Sequence, residues 1–207
     1  MKVLRLGCLN NAINTYAYMA GGRILDLFAN REKALNCYDK AMQFDFHTIR
    51  LLKLKGEQLI KLNRYNEALN CYVKIILINS NDYRSYYNIA FLLYKTNKNE
   101  YAVNMLKKCV KINSNYYRAY ILMAKIMYDE EDYENAVLFS EKAIKIQPDN
   151  SMAYEIRNNS LIDLGAVYEK HNSESYFEEL GCDYNNEEEC LINSLNASLF
   201  IFNKIYI

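Results

Sequence analysis

Ala34, Ala68, Ala102 and Ala136 fall on a strict 34-residue period, and the sequence around each recurs with them. The second copy reads RYNEALNCYVKIILIN from Arg64. Its counterparts are REKALNCYDKAMQFD from Arg31, EYAVNMLKKCVKIN from Glu100 and DYENAVLFSEKAIKIQPD from Asp132. Self-similarity of this length marks a stacked array, in which each unit buries its apolar face against the next. It constrains the fold far more than the function, because a stacked helical repeat is a surface for holding other molecules and carries no reaction in itself.

With Ala68 set at position 20, the period gives four units at 15–48, 49–82, 83–116 and 117–150. Each divides into two helices. In the third unit Tyr86, Ile89, Ala90 and Leu93 share one face of a first helix, and Ala102, Leu106 and Val110 form a stripe on a second. The polar residues 96–99 between them suit a short turn joining antiparallel helices. One Pro and six Gly in 207 residues favour long helices over a strand-rich sandwich.

These residues resemble the tetratricopeptide repeat family, whose pattern places Trp, Leu, Gly and Tyr in the first helix, then Ala and Phe, with a late Pro. Unit one supplies Tyr18, Gly22, Leu25, Ala34, Tyr38 and Ala41; unit two supplies Leu52, Gly56, Leu59, Tyr65, Ala68 and Tyr72. Unit four supplies Tyr120, Ala124, Tyr133, Ala136, Ala143 and Pro148. Gly22, Gly56, Ala90 and Ala124 occupy one position, where close approach of paired helices requires a small residue. The pattern also departs from the family's. Tyr18, Tyr86, Tyr120 and Tyr154, with Leu52, replace the Trp, and Ser140 replaces the second-helix aromatic of unit four. Only Pro148 remains of the late prolines, so other helix ends rely on Asn and Ser, as at 79–82 and 113–115. The resemblance implies an all-α, right-handed α-solenoid of antiparallel helix pairs.

Four segments flank the repeats. Residues 1–14 read as an N-terminal partial helix, and 151–168 as an atypical closing helix with Tyr154 and Leu161 in phase. Residues 169–190 form an acidic connector with eight carboxylates and one Lys. Lys+Arg and Asp+Glu are both 25 in the whole chain, so 1–168 carries about +6 against about −7 in the connector. Residues 191–207 carry Ile192, Leu195, Leu199, Phe202 and Tyr206 as one stripe, which reads as an amphipathic helix. Its expected place is on its own array, with contact to a partner or a membrane surface as the alternative.

The family resemblance implies a concave wall lined by positions 2, 5, 9 and 12 of the first helices. Those positions are Arg50, Lys53, Glu57 and Ile60, then Arg84, Tyr87, Phe91 and Tyr94, then Arg118, Ile121, Lys125 and Tyr128. Arg50, Arg84 and Arg118 make an in-phase ladder, and forked guanidiniums beside flat aromatics suit an acidic peptide or protein. The alternative is a set of solvated arginines copied by duplication. Chaperone-binding relatives hold a C-terminal carboxylate with five residues. Lys53, Asn88 and Arg118 match that clamp, whereas Glu57 and Leu122 stand where Asn and Arg are required. The expected role is an intracellular, cytoplasmic scaffold or adaptor that binds a protein or peptide, with a chaperone clamp or an RNA-binding repeat as alternatives. A further reading folds the acidic connector over the Arg ladder, in competition with an outside ligand.

Other classes find little support. His47 and His171 are the only histidines, and neither a glycine-rich phosphate loop nor a nucleophile motif occurs. No enzyme activity, small-molecule substrate, metal or cofactor is expected. The six cysteines, Cys8, Cys37, Cys71, Cys109, Cys182 and Cys190, lack zinc-knuckle spacing and read as free thiols in a reducing compartment. No stretch is apolar enough for a confident transmembrane helix. Asn158 and Asn196 sit in glycosylation patterns that the absence of a secretory signal makes accidental.

Overall fold

The structure, a computed structural model, describes residues 2–44 and 48–180, with side chains described over 10–44 and 48–167. These residues form nine α-helices and no strand: α1 Lys2–Leu27, α2 Arg31–Met42, α3 Thr48–Lys61, α4 Tyr65–Ile78, α5 Tyr83–Lys95, α6 Asn99–Ile112, α7 Tyr117–Asp129, α8 Tyr133–Ile146 and α9 Ser151–Leu180. The architecture is an all-α helical repeat of the solenoid class. Two compact units divide after Ile126.

In the first unit, neighbouring helices pack in chain order from α1 through α6. The apolar stripes explain why. One core cluster joins Leu35 of α2, Leu52 and Leu59 of α3, Ala68, Tyr72 and Ile75 of α4, and Ile89 and Leu92 of α5. A helix pair therefore shares its buried side chains with the pairs before and after it, and each full aliphatic burial contributes about 1.5–3 kcal/mol.

The small residues stand where close approach demands them. A Cβ placed on Gly22 would sit 2.5 Å from the Tyr38 ring, and one on Gly56 would sit 2.8 Å from the Tyr72 ring. Both rings are fully buried and cannot retreat. In the third repeat Ala90 and Leu106 take the equivalent positions, and both are fully buried as well. The larger small residue accompanies the smaller partner.

The turns inside the repeats are all of one kind. Ala29, Asn63, Asn97 and Glu131 have φ of 55°, 59°, 56° and 61°, again at the repeat period. Around Asn63, Arg64 N–H donates to the Leu59 carbonyl and Asn63 N–H to that of Ile60, the paired bonds of a Schellman ending. The same pair recurs at each of the other three turns. Between repeats, Asn79 and Asn113 accept from the backbone N–H of Asn81 and Asn115 at 3.1 Å. These Asx turns hold the chain where Pro148 fixes it in the fourth repeat.

In the second unit α8 packs on α9, burying Ala136, Ser140 and Ala143 against a helix that buries Ala153 and Ser160. Ser140, in the place of the expected aromatic, satisfies its hydroxyl on the Val137 carbonyl at 2.8 Å.

Two boundaries differ from the sequence expectation. The partial helix at 1–14 and the first helix of unit one are one continuous element, α1, because no breaker separates them. The closing helix runs past residue 168 to Leu180, so the start of the acidic connector is helical. Its carboxylates do not break a helix, and Glu, Lys and Leu are good helix formers. The rest of the connector, its reading as a cover for the Arg ladder, and the amphipathic stripe at 191–207 lie outside the described residues.

Candidate functional site

The wall residues expected from the sequence fall into three groups. Arg50 on α3, Arg84 on α5, and Arg118 and Lys125 on α7 are exposed. Lys53, Tyr87, Asn88, Phe91 and Tyr94 are half-buried. Ile121 and Tyr128 are placed otherwise. Ile121 is only 9% exposed and belongs to the core, because α7 buries Ala119, Leu122, Met123, Ala124 and Ile126 as well. Tyr128 donates its hydroxyl to Asp163 of α9 at 2.7 Å, a bond inside the second unit.

On α5, Arg84, Tyr87, Phe91 and Tyr94 follow at steps of three and four and so share one face. Arg84 lies over the Tyr83 ring at 5.7 Å and donates Nε–H to that hydroxyl at 3.3 Å. One repeat later Arg118 does the same with Tyr117, at 6.0 and 3.4 Å. The accepting hydroxyl favours the charged guanidinium in each case. Among the described residues no carboxylate pairs with Arg50, Arg84 or Arg118. Tyr116 packs on the same side of α5, meeting Tyr83 at 5.1 Å and Tyr87 at 5.3 Å edge to face. Burial raises the Tyr116 phenol to about 12 and raises Tyr87 too, so both hydroxyls stay protonated at physiological pH.

Tyr83, Tyr116 and Tyr117 were not among the expected wall residues. Their signal is legible as the Tyr-Arg pairs at 83–84 and 117–118, one period apart. These three tyrosines stand at positions 34 and 1, outside the first-helix steps that the expectation followed.

The charged side chains of α1 and α3 are arranged differently from those of α5. Lys53 Nζ stands 2.8 Å from Asp82, the residue preceding α5. Lys61 Nζ lies 2.8 and 2.9 Å from the two Asp26 oxygens, and this bond holds the Asp26 carboxyl below its ordinary range. Glu57 lies between the two lysines on α3. The residue as a whole is exposed, and partial desolvation of its carboxyl raises it above its ordinary value.

Cys37, Cys71 and Cys109 are free, and burial raises the thiols of Cys71 and Cys109, the latter to about 12, so neither supplies a thiolate at neutral pH. Among the described residues no group of three or more His, Cys, Asp or Glu could hold a metal ion. No helix among them is long and apolar enough to cross a membrane.

The fold is that of a helical-repeat protein, and its helices α5 and α7 carry aromatic and basic side chains in repeat phase. Residues 83–116 and 117–150 each match the tetratricopeptide repeat, so the resemblance seen in the sequence holds and these two units are such repeats. No curated protein sequence matches the chain. Solved structures share the fold at low identity. YrrB, described as a TPR protein with an unusual peptide-binding site, aligns at TM-score 0.62 and 21% identity over 70% of this chain and 74% of its own. The first TPR of Spaghetti (RPAP3), bound to the HSP90 peptide SRMEEVD, aligns at 0.55 and 23% over 57% and 94%. MamA from Desulfovibrio magneticus RS-1 aligns at 0.62 and 18% over 77% and 96%.

Proposed function

We propose that the chain is a non-catalytic protein-interaction module that binds an acidic peptide or an acidic segment of a partner along the first-helix wall. The observation that carries this reading is the pair Arg84 and Arg118. Both are exposed, lack a carboxylate partner among the described residues, and rest each on a tyrosine, Arg84 on Tyr83 and Arg118 on Tyr117. A guanidinium stacked on a ring loses little freedom when it takes up a carboxylate, and the ring adds a flat apolar ledge beside it. Arg50 extends the same ladder by one repeat, and Tyr87, Asn88, Phe91, Tyr94 and Lys125 border it. The structural neighbours with peptide-binding sites support the class of ligand, at identities that speak for fold alone.

A chaperone-type clamp is disfavoured. Lys53 is already committed to Asp82, Glu57 would repel an incoming carboxylate, and Leu122 is buried where an Arg would be needed. The test uses fluorescein-labelled Glu/Tyr-rich hexapeptides, with SRMEEVD and a single-stranded RNA as comparators. R84A/R118A should lower affinity for the hexapeptides at least tenfold, since each charge-assisted hydrogen bond contributes about 1.5–3 kcal/mol. Equal binding by wild type and the double mutant, with helicity by circular dichroism unchanged, overturns the assignment. So does a preference for the RNA.

A further inference from the structure

Two positions of the first helices, 3 and 10 in the repeat frame, are buried on every first helix after α1. Leu51 and Gln58 on α3, Ser85 and Leu92 on α5, Ala119 and Ile126 on α7, and Ala153 and Ser160 on α9 are all at most 1% exposed. The cover is the second helix of the repeat before, since α2 packs on α3, α4 on α5 and α8 on α9. In α1 the same positions hold Ala17 and Ile24, and both are exposed, Ile24 at 54%. Packing of α2 on α1 leaves them bare, so this is the face that a preceding second helix takes elsewhere.

The bare face is apolar and regular. Ile13, Ala17, Ala20, Ile24 and Leu27 follow at steps of four and three, the spacing of a coiled-coil seam, and all five are exposed. Tyr16 and Phe28 flank them, at 50% and 79% exposed. The seam is symmetric about its midpoint between Ala17 and Ala20, with an isoleucine on either side. An antiparallel copy of α1 therefore sets Ile13 against Ile24 and Ala17 against Ala20 on both sides of a two-fold axis. Small residues at the centre let the helix axes approach to about 8 Å.

Charge and area suit the same occupant. Between Asn10 and Leu27 only Arg23 and Asp26 are charged. In the antiparallel pair they face Asn14 and Asn11 of the second copy, so no like charges meet. At 56% exposure for Ile13 and 85% for Leu27, the five large side chains offer on the order of 600 Å² per copy. Two copies bury about 1,200 Å², the lower end of specific interfaces.

We infer that the bare face of α1 is a self-association surface, covered by α1 of a second copy of this chain in antiparallel register. The second copy stands where a preceding second helix stands on α3 and α5. The surface is separate from Arg84 and Arg118 and does not depend on the ligand they take.

Sedimentation velocity on the full chain tests this. Wild type at about 100 μM should show a species near twice the 24.4 kDa chain mass and dissociate on dilution. I13K and I24E should each weaken the dimer at least tenfold, because each buries a charge against an isoleucine. Both sites are exposed in the single chain, so helicity by circular dichroism should not change. I13K/I24E sets Lys against Glu twice across the axis and should dimerise more tightly than either single variant. R84A/R118A should dimerise as wild type does. A monomeric wild type at this concentration overturns the inference. A dimer that survives I24E, or is lost in R84A/R118A, overturns the assignment to α1. Failure of I13K/I24E to recover association overturns the antiparallel register.

Discussion

The first two repeats and the third use one backbone plan with different side-chain solutions. In the first two, a Gly on the first helix faces a Tyr ring on the second, as Gly22 faces Tyr38 and Gly56 faces Tyr72. In the third, Ala90 and Leu106 occupy those positions. The charged side chains follow the same division. The first two repeats supply a nearly balanced row of carboxylates and lysines, and the third supplies Arg84 on a bed of tyrosines. Repetition thus fixes where helices meet, and each repeat is free to choose how the volume and charge at that meeting are filled.

The Gly–Tyr contact offers the largest test of that comparison. G56A should destabilise the chain by about 1–2 kcal/mol in urea unfolding, the overpacking cost less the helix-propensity gain of Ala. Y72L alone should lose about 1–3 kcal/mol through the cavity it leaves. G56A/Y72L copies the third repeat and should be more stable than the sum of the single changes by about 1 kcal/mol. Additive losses would show that the two solutions are not interchangeable.

The turns give a smaller effect. Asn97 in the third repeat and Ala29 in the first hold the same left-handed conformation, which Asn tolerates better than Ala. A29G should therefore raise stability by about 1 kcal/mol, and E131G should do so by a similar amount. N97A should lower it, with all three read as shifts in the urea midpoint. A loss in A29G would mean that this turn is held by something other than its backbone geometry.

The smallest effect concerns acid. The Asp26 carboxyl is held below its ordinary value near 3.8 by the Lys61 hydrogen bond. Its contribution to stability is present above that value and is lost as pH falls through the lower folded-state value. Glu57 has the opposite sign, because its raised carboxyl makes ionisation a cost that grows as pH rises. Hydrogen exchange below pH 4 should show α1 and α3 loosening before α5, and D26N should remove part of that difference. Uniform loosening would break the electrostatic half of the comparison.

Much of the fold was legible because it is periodic. The alanines, the Gly–Ala positions and the tyrosines in the Trp place gave the helix pairs, and the Asn residues at 79 and 113 fall where turns form. The ends were less legible. The sequence around residues 14 and 168 has no Pro, the single Gly165 is tolerated inside α9, and a change in repeat phase or charge does not stop a helix that keeps making its own hydrogen bonds. On the wall, Arg84 and Arg118 stood out by phase, whereas Ile121 was misplaced because a position along a helix does not reveal how many sides are covered.

What the sequence determined by itself is the length of the repeat, the identity of the two helices in each unit and the spacing of the basic positions, all local properties copied with the period. What only the tertiary structure decided is which charges are spent. Lys53 and Lys61 are both in reach of Glu57 along α3, yet both pair with carboxylates on neighbouring elements. Helix stacking sets those distances, and the choice between a partner one turn away and one across an interface is made only when the helices meet.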